Sequence, residues 1–350
     1  MSEGWIQRVF GWGRRRASAA GASVDSVDGV EPTAGGGAVV GGVGGVGPWM
    51  DVPALMAIHS LELRVRRLVE GLSRGIHRSV RRGYSTEFTE YRPYTPGDDL
   101  RHMDWRRLAR TDRPYVRQYE EESEWGCLVV MDLSASMALG TPSKADYGRT
   151  LAGTLGMFLH NQGDPVGLLR FSVDPGDVVP VRHGPRQLAR WWSLLAAEPA
   201  GRGTGLAKAM DGALRLLKRP GLVVVVSDLL TGPASWAEPL RLLRAARHEV
   251  VFFEVLDAQE LEFPFGGDTR FENLEEPRAM DVDAGRAREA YLQRLAEHRT
   301  AVRAQCARES APLLCARTDK PLEPVLRAAL GEIERLRPLS GTRHNLGSRG

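Results

Sequence analysis

The fold is indicated by the stretch Trp125-Gly-Cys-Leu-Val-Val-Met-Asp132-Leu-Ser134-Ala-Ser136-Met137. Its apolar run, Cys127 to Met131, is followed directly by small polar residues, a pattern typical of a buried strand in a parallel sheet. In open α/β sheets, ligands bind beyond the carboxyl ends of the strands. We therefore expect Asp132, Ser134 and Ser136 to lie where a ligand would sit.

After this stretch, apolar strand patterns alternate with amphipathic helix patterns. The further strand candidates are Val166–Phe171, Val178–Arg182, Leu222–Val226, Glu249–Leu256 and Pro312–Ala316. The helix candidates are residues 144–162, 186–197, 206–218, 236–247, 284–309 and 322–336. Strands separated by helices of this length predict an α/β fold with a Rossmann-like, doubly wound, mostly parallel sheet. Residues 258–283 interrupt the alternation, and we expect an irregular segment with a hairpin.

The composition changes along the chain and predicts four segments. Residues 1–50 are expected to form a disordered, glycine-rich tail, because eight of the thirteen residues from Gly35 to Gly47 are glycine and backbone entropy opposes order there. Residues 51–122 should form an N-terminal helical and irregular extension, with a helix over 51–75. Residues 123–336 should form the α/β domain, and residues 337–350 a flexible tail.

The overall composition and net charge narrow the class of protein. Of the 350 residues, 42% are hydrophobic and 26% charged, and the net charge is +3, which is ordinary for a globular protein. No apolar run approaches the roughly 20 residues that a membrane-spanning helix needs. The three cysteines form no paired framework, so we expect a reducing, cytoplasmic setting.

Two further loops carry oxygen donors at the same edge of the expected sheet. Thr204 lies between two glycines, and Asp228 follows the strand that contains four consecutive valines. Taken singly, these residues and the D-x-S-x-S motif could be helix caps or turn residues. Taken together, two carboxylates and three hydroxyls are hard oxygen ligands, which suit Mg²⁺ or another divalent cation. The pattern favours one metal site.

Asp132, Ser134, Ser136, Thr204 and Asp228 resemble the metal-ion-dependent adhesion site of the von Willebrand factor A-type domain. The first three match the first motif of that site, Thr204 its threonine and Asp228 its distal aspartate. The resemblance implies a Rossmann-like sheet with Mg²⁺ at its carboxyl edge. It also implies a protein partner that supplies an acidic side chain, and no catalysis.

The block before the α/β domain is similar to the signature of domain-of-unknown-function family 58, which precedes an A-type domain. The likeness extends from about residue 61 to residue 336, and its P-G-D-D-x-R-x-x-D-W core is specific. Its signature residues are Arg92, Asp98, Asp99, Arg101, Asp104, Trp105 and Arg110. The resemblance implies a partner or adaptor of a MoxR-type AAA+ ATPase, or of its client, in the assembly or maturation of protein complexes.

Several functional alternatives remain open from the sequence. The signature block could be a salt-bridged lock against the sheet domain, since arginine–carboxylate pairs suit that role, or it could be a partner surface. A metal-dependent phosphoester hydrolase would use the same cation but has no evident nucleophile. Nucleic-acid binding through the ten arginines of residues 78–117 is weakened by the six acidic residues among them. We expect neither nucleic-acid binding nor a membrane span.

Overall fold

The computed structural model of the protein describes residues 12–14, 52–79, 91–93, 108, 110, 115–117, 125–197, 203–273 and 279–337. The chain divides into two compact units, one formed by Met1–Leu72 and Trp125–Arg337, the other by Ser73–Glu124 and Pro338–Gly350.

The strands in chain order are β1 (Trp12–Arg14), β2 (Tyr91–Pro93), β3 (Tyr115–Arg117), β4 (Cys127–Asp132), β5 (Val166–Phe171), β6 (Pro175–Arg182), β7 (Leu222–Ser227), β8 (Glu249–Leu256), β9 (Asp268–Asn273), β10 (Ala279–Asp283) and β11 (Leu313–Arg317).

The α-helices in chain order are α1 (Val52–Met56), α2 (Leu61–Ser79), α3 (Lys144–Asn161), α4 (Pro185–Ala196), α5 (Leu206–Leu216), α6 (Ala237–Ala245), α7 (Ala258–Glu262), α8 (Ala284–Arg308) and α9 (Leu322–Leu336). Short 3-10 helices also cover Ala135–Ala138 and Pro233–Ser235. The strands and helices predicted between residues 127 and 336 are present, with ends that differ by up to three residues.

The first unit is built on a six-stranded sheet in the order β11-β8-β7-β4-β5-β6. All neighbouring strands are parallel except β6, which runs antiparallel to β5 at one edge. The predicted α/β fold with a doubly wound, mostly parallel sheet is therefore confirmed. Strands β4, β5 and β7 are buried along their whole length, as continuous apolar strands of a parallel sheet require.

Helices cover both faces of the sheet. On one face, Leu128 and Val130 of β4 belong to a core that also contains residues of α5, α6 and α8. On the other face, α3 lies against β4, β7 and β8, and α4 and α9 lie beside it. Burying each Val or Leu of these strands contributes about 1.5–3 kcal/mol, so the two layers supply most of the stability of the unit.

Helix α3 approaches the sheet closely because Gly148 has no side chain. A Cβ at Gly148 would lie 3.0 Å from the terminal methyl of Met131 and 3.1 Å from a methyl of Val226. The helix begins one turn earlier, at Lys144, after Ser143 accepts a hydrogen bond from the backbone N–H of Asp146. This packing places the first turn of α3 over the carboxyl ends of the strands.

Three parts of the first unit differ from the sequence predictions. The helix predicted over residues 51–75 is two helices, because Ser60 accepts a hydrogen bond from the N–H of Leu63 and starts α2. The segment 258–283 contains α7 and then the predicted hairpin, β9 and β10. Within the predicted tail 1–50, residues 12–14 form β1 and pair with β9, so the prediction of disorder is wrong for those three residues. The others lie outside the described residues.

The second unit contains the two-stranded antiparallel sheet β2-β3, in which Arg92 pairs with Val116. Arg110 is exposed and helical. The remaining signature residues, Asp98, Asp99, Arg101, Asp104 and Trp105, lie outside the described residues, so the choice between a lock and a partner surface stays open. The predicted flexible tail also lies almost wholly outside them. Among the helices of the described ranges, none has the length and apolar character needed to cross a membrane.

The turn before α5 leaves no room for a side chain at Gly205. Its N–H donates a hydrogen bond to the carbonyl of Ser172, just after β5. A Cβ at this position would lie 1.9 Å from the carbonyl oxygen of Val173. The backbone of Val173 or of the turn itself would have to move to admit even a methyl group.

We predict that Gly205→Ala lowers the free energy of unfolding by about 3 kcal/mol, because overpacking against backbone cannot be relieved by a side-chain rotation. Gly331→Ala is the matched control, since a Cβ there would meet nothing within 4 Å. Alanine in place of that helical glycine should raise the free energy by about 1 kcal/mol. Urea denaturation of the full chain measures both, and a Gly205→Ala protein as stable as the wild type would contradict this packing.

Candidate functional site

The centre of the candidate site is Asp132, the last residue of β4. Its side chain is 0% exposed. One carboxylate oxygen accepts a hydrogen bond from the backbone N–H of Ser134 at 2.9 Å, and the other from the hydroxyl of Ser227 at 2.5 Å. Met131 and Val226 are partners across the two strands, so Ser227 at the end of β7 lies directly beside Asp132.

Ser134 and Ser136 continue the site through their hydroxyl groups, whose oxygens are 3.1 Å apart. Ser136 donates its own hydrogen to a carboxylate oxygen of Asp228 at 2.7 Å, so Ser134 is the donor between the two serines. Ser134 is the N-cap residue of the 3-10 helix at Ala135, but its side chain makes no capping hydrogen bond. Its hydroxyl is instead directed to Ser136.

Asp228 follows β7 and brings the second carboxylate to the cluster. It is 2% exposed, and its other oxygen accepts a hydrogen bond from the N–H of Leu230 at 3.4 Å. Leu229, between them, has a positive φ of 53°, a backbone conformation that is strained for a bulky side chain. His298 of α8 donates a hydrogen bond at 2.8 Å to the Leu229 carbonyl and so holds this turn in place.

A buried lysine also belongs to the cluster, and the sequence patterns did not identify it. Lys144 is 0% exposed, and its ammonium donates to Asp228 at 2.8 Å and to Glu260 at 2.6 Å. Burial disfavours the charged lysine, but the two carboxylates outweigh burial and raise the pKa of Lys144 above its ordinary value. Lys144 is therefore a charged group held inside the protein.

Glu260 connects the cluster to the neighbouring strands. It lies in α7, and its second oxygen accepts a hydrogen bond from the N–H of Asp257 at 2.9 Å in a capping box. Asp257 in turn accepts a hydrogen bond from the Thr318 hydroxyl at 2.7 Å. The polar network thus extends along the carboxyl ends of four adjacent parallel strands, β11, β8, β7 and β4.

Thr204 is placed at the same edge but is not joined to the network. Gly205 bonds to Ser172, and Leu133 bonds at 2.9 Å to Phe171, so both loops meet the end of β5. Thr204 itself is half-buried. Within the described part of the chain, no hydrogen bond links its hydroxyl to the other four predicted ligands. Gly205, rather than Thr204, is the N-cap of α5, so the alternative that Thr204 is the cap is not realised.

The charges of the cluster bear directly on whether a divalent cation fits. Asp228 and Glu260 accept hydrogen bonds on both carboxylate oxygens, as ionised groups do. With Asp132 they make three buried carboxylates against the one ammonium of Lys144, and the buried Asp257 carboxylate lies further along the network beside the Thr318 hydroxyl. When the first three carboxylates and the ammonium are ionised, their excess is two negative charges. Buried charges need compensation, and a divalent cation supplies the missing two.

The donor set limits which cation would fit. In the described residues, no group of three or more histidine, cysteine, aspartate or glutamate side chains is arranged to hold a metal ion. A cation here would depend on the serine hydroxyls beside Asp132, all of them oxygen donors. Such donors suit Mg²⁺ and exclude a structural zinc site, which needs nitrogen or sulfur ligands. The types of donor present are thus those that Mg²⁺ prefers, and the metal site itself stays a prediction.

Five residues of the network were not among the predicted ligands, namely Ser227, Lys144, Glu260, Asp257 and Thr318. Ser227 could have been identified from the sequence, because it is the polar residue that ends the valine-rich strand immediately before Asp228. Lys144 and Glu260 could not, since a lysine and a glutamate are common residues in the first turn of a helix. Only the packing of α3 and α7 over the strand ends brings these two side chains together.

A comparison with protein families matches the chain to one of them. The model of the family described as "Protein of unknown function DUF58" matches residues 90–301. An uncharacterized protein of Mycobacterium tuberculosis, Rv1480, is 36% identical over 279 residues, which are 77% of this chain and 87% of that protein. An uncharacterized protein of Mycobacterium avium, MAV169, is 36% identical over 141 residues, 40% of this chain and 82% of that protein.

Solved structures give weaker likenesses. The hypothetical protein BatB from Bacteroides thetaiotaomicron is 18% identical with a TM-score of 0.41, covering 60% of this chain and 97% of that one. The SpRpn10 VWA domain is 10% identical with a TM-score of 0.37, covering 58% and 93%. The family match and the sequence relatives carry the assignment.

The burial of Asp132 predicts a pH dependence of stability in the absence of metal. Burial and the nearby Asp228 raise the pKa of Asp132 to about 7, against the hydrogen bonds from Ser227 and Ser134, whereas in the unfolded chain it is about 3.9. Between these values the folded protein binds the extra proton. The stabilisation is therefore full below the lower value and is lost as the pH rises through 7.

In EDTA, the melting temperature should fall by roughly 5 °C or more between pH 5.5 and pH 8 from this carboxyl alone. The Asp132→Asn protein cannot ionise. Its amide oxygen can still accept the Ser134 N–H, while its NH2 group can only donate to the Ser227 oxygen. The fall in its melting temperature with pH should therefore lack the contribution of this carboxyl. Differential scanning calorimetry of the wild type and of Asp132→Asn at both pH values measures this contribution, as the difference between their changes in melting temperature. Parallel pH profiles would show that Asp132 titrates normally and that the site is not electrostatically strained.

Proposed function

Because the chain belongs to the DUF58 family and gathers buried oxygen donors at one edge of its sheet, we propose that it is a non-enzymatic protein-binding module. In this proposal Mg²⁺, or another divalent cation, is held beside Asp132, Ser134 and Ser136. Asp228 holds the Ser136 side chain in place by accepting a hydrogen bond from its hydroxyl. The observation that carries the proposal is the burial, at one edge of the sheet, of the Asp132 and Asp228 carboxylates together with the hydroxyls of Ser134 and Ser136, all of them oxygen donors.

The protein's own residues define what such a site can accept. Of the proposed carboxylate ligands, Asp132 and Asp228, only Asp132 makes no bond to the Lys144 ammonium, so a bound cation would be only partly neutralised by direct charge. When bound, the cation would supply a Lewis-acidic centre able to take a carboxylate oxygen from another protein. In this proposal a partner would approach past Ala135 and Thr204, which are half-buried at this edge. The partner chemistry proposed is therefore an exposed aspartate or glutamate.

The identity of the partner is supported by the family and not by the geometry. The resemblance to the family signature implies a MoxR-type AAA+ ATPase, or its client, and we propose this as the partner. The role would be that of an adaptor in the assembly or maturation of protein complexes. The cysteines of the described residues, Cys127, Cys306 and Cys315, are free thiols, which suits the cytoplasmic setting proposed with it.

Hydrolysis is less well supported. An aspartyl-phosphate enzyme needs a second carboxylate close to the first, and the corresponding position is occupied by Ser134. The hydroxyls of Ser134 and Ser136 are committed to a hydrogen-bonded chain that ends on Asp228, and the same Asp228 oxygen is held by the Lys144 ammonium, which makes it a weaker base for activating a serine nucleophile. The arginine-rich block that could bind nucleic acid lies largely outside those residues, and nothing in the described part favours that function.

The proposal predicts that capture of the partner depends on metal and on Asp132. The full chain, immobilised, should retain the MoxR-type ATPase encoded in the same genome in Mg²⁺, and lose at least about 90% of it in EDTA or as Asp132→Ala, since one buried ligand is removed. Asp174→Ala is the matched control. Asp174 is an exposed aspartate near the same edge, paired with exposed Lys208, and its loss should leave retention unchanged. Retention that ignores both EDTA and Asp132→Ala would rule out metal-mediated contact.

A further inference from the structure

The feature that the proposed function leaves unexplained is the ammonium of Lys144. A lysine that is 0% exposed is rare in proteins, and this one is directed at a predicted metal ligand. Its nitrogen lies 2.8 Å from the same Asp228 oxygen that accepts the hydrogen bond from Ser136. A permanent cation thus occupies a position on the carboxylate where a metal would otherwise compete.

We propose that Lys144 is a built-in counter-cation that sets the affinity of the site for divalent metal. Its ammonium keeps one Asp228 oxygen from direct contact with the ion and offsets one of the three buried carboxylates. This inference rests on the proposed function, because it concerns the metal used there. Lys144 is a positioning and specificity-determining residue and is not itself a metal ligand.

Glu260 contributes to the proposed effect of Lys144 on metal affinity, because it fixes the position of the Lys144 ammonium. The Lys144 nitrogen is 2.6 Å from one Glu260 oxygen, and the N–H of Asp257 holds the other at 2.9 Å. Both carboxylate partners of Lys144 are buried, at 2% and 4% exposure, so solvent screens the charges little. Removing the charge of Lys144 or of Glu260 must therefore change the electrostatic potential at the metal position.

The balance of charges predicts effects of opposite sign. Lys144→Met changes the excess of two negative charges to three, so Mg²⁺ should bind more tightly. Glu260→Gln changes the excess to one, so Mg²⁺ should bind more weakly. The double variant restores the original excess of two. A residue that only stabilised the fold would weaken metal binding in both single variants, so the opposite signs separate the two roles.

The same balance has a consequence for the partner. In the wild type, a divalent ion neutralises the buried excess, so nothing beneath the ion repels an incoming carboxylate. In Lys144→Met one negative charge would remain uncompensated. Metal affinity and affinity for an acidic partner should then change in opposite directions, tighter for the ion and weaker for the partner.

Isothermal titration of the full chain with Mg²⁺ alone is the test. Compared with the wild type, Lys144→Met should bind about tenfold more tightly or better, Glu260→Gln several-fold more weakly, and the double variant within about threefold, as expected for removal of one charge from a poorly screened site. Lys208→Met is the matched control. It removes an exposed lysine of α5 near the same edge, where screening by solvent should keep the effect below about twofold.

Lys144→Met leaves two buried carboxylates without their cation and could fail to fold without metal. In that case Glu260→Gln and the double variant decide, because both keep the cluster charge at two or below. Unchanged dissociation constants in Glu260→Gln and in the folded lysine variants, with normal binding by the wild type and none by Asp132→Ala, would overturn this inference alone. No Mg²⁺ binding by the wild type would overturn both it and the proposed function.

Discussion

The interaction on which the site depends is the buried ion pair that Lys144 makes with Asp228 and Glu260. Parallel strands end at one edge of a sheet, and here three adjacent strands, β8, β7 and β4, bring carboxylates there. Burying several carboxylates is expensive unless each is hydrogen-bonded and their charge is compensated. One ammonium, three hydroxyls and several backbone N–H groups provide most of that compensation, and the two charges left over are what makes a divalent cation plausible.

The fold accounts for how these groups meet. Gly148 lets α3 approach β4 and β7, which carries Lys144 over the strand ends. The capping box of α7 aims Glu260 at the same point, and the strained turn at Leu229, held by His298, presents Asp228. Each of these devices is local, yet all act on one cluster. In the proposed function, side chains already held in place by these hydrogen bonds would lower the ordering cost of binding a partner carboxylate.

Much of this architecture could be predicted from the sequence, because the apolar strand runs and the helix periods are long and regular. The cluster of Asp132, Ser134, Ser136 and Asp228 followed from the rule that strand ends share an edge. Lys144 and Glu260 could not be predicted, since their pairing depends on helix packing across more than 100 residues of chain. Residues 51–75 were expected to be one helix, because periodicity alone does not show that Ser60 restarts it.

Thr204 was grouped with the other four residues on its position in the chain, and the structure places it at the same edge without joining it to them. The most direct test of the whole account is a crystal structure of the full chain grown with Mn²⁺, with anomalous scattering used to locate the ion. The account predicts one strong peak beside Asp132, Ser134 and Ser136, with the Lys144 ammonium still on Asp228. A peak elsewhere, no peak, or an ion that has displaced Lys144 from Asp228 would contradict it.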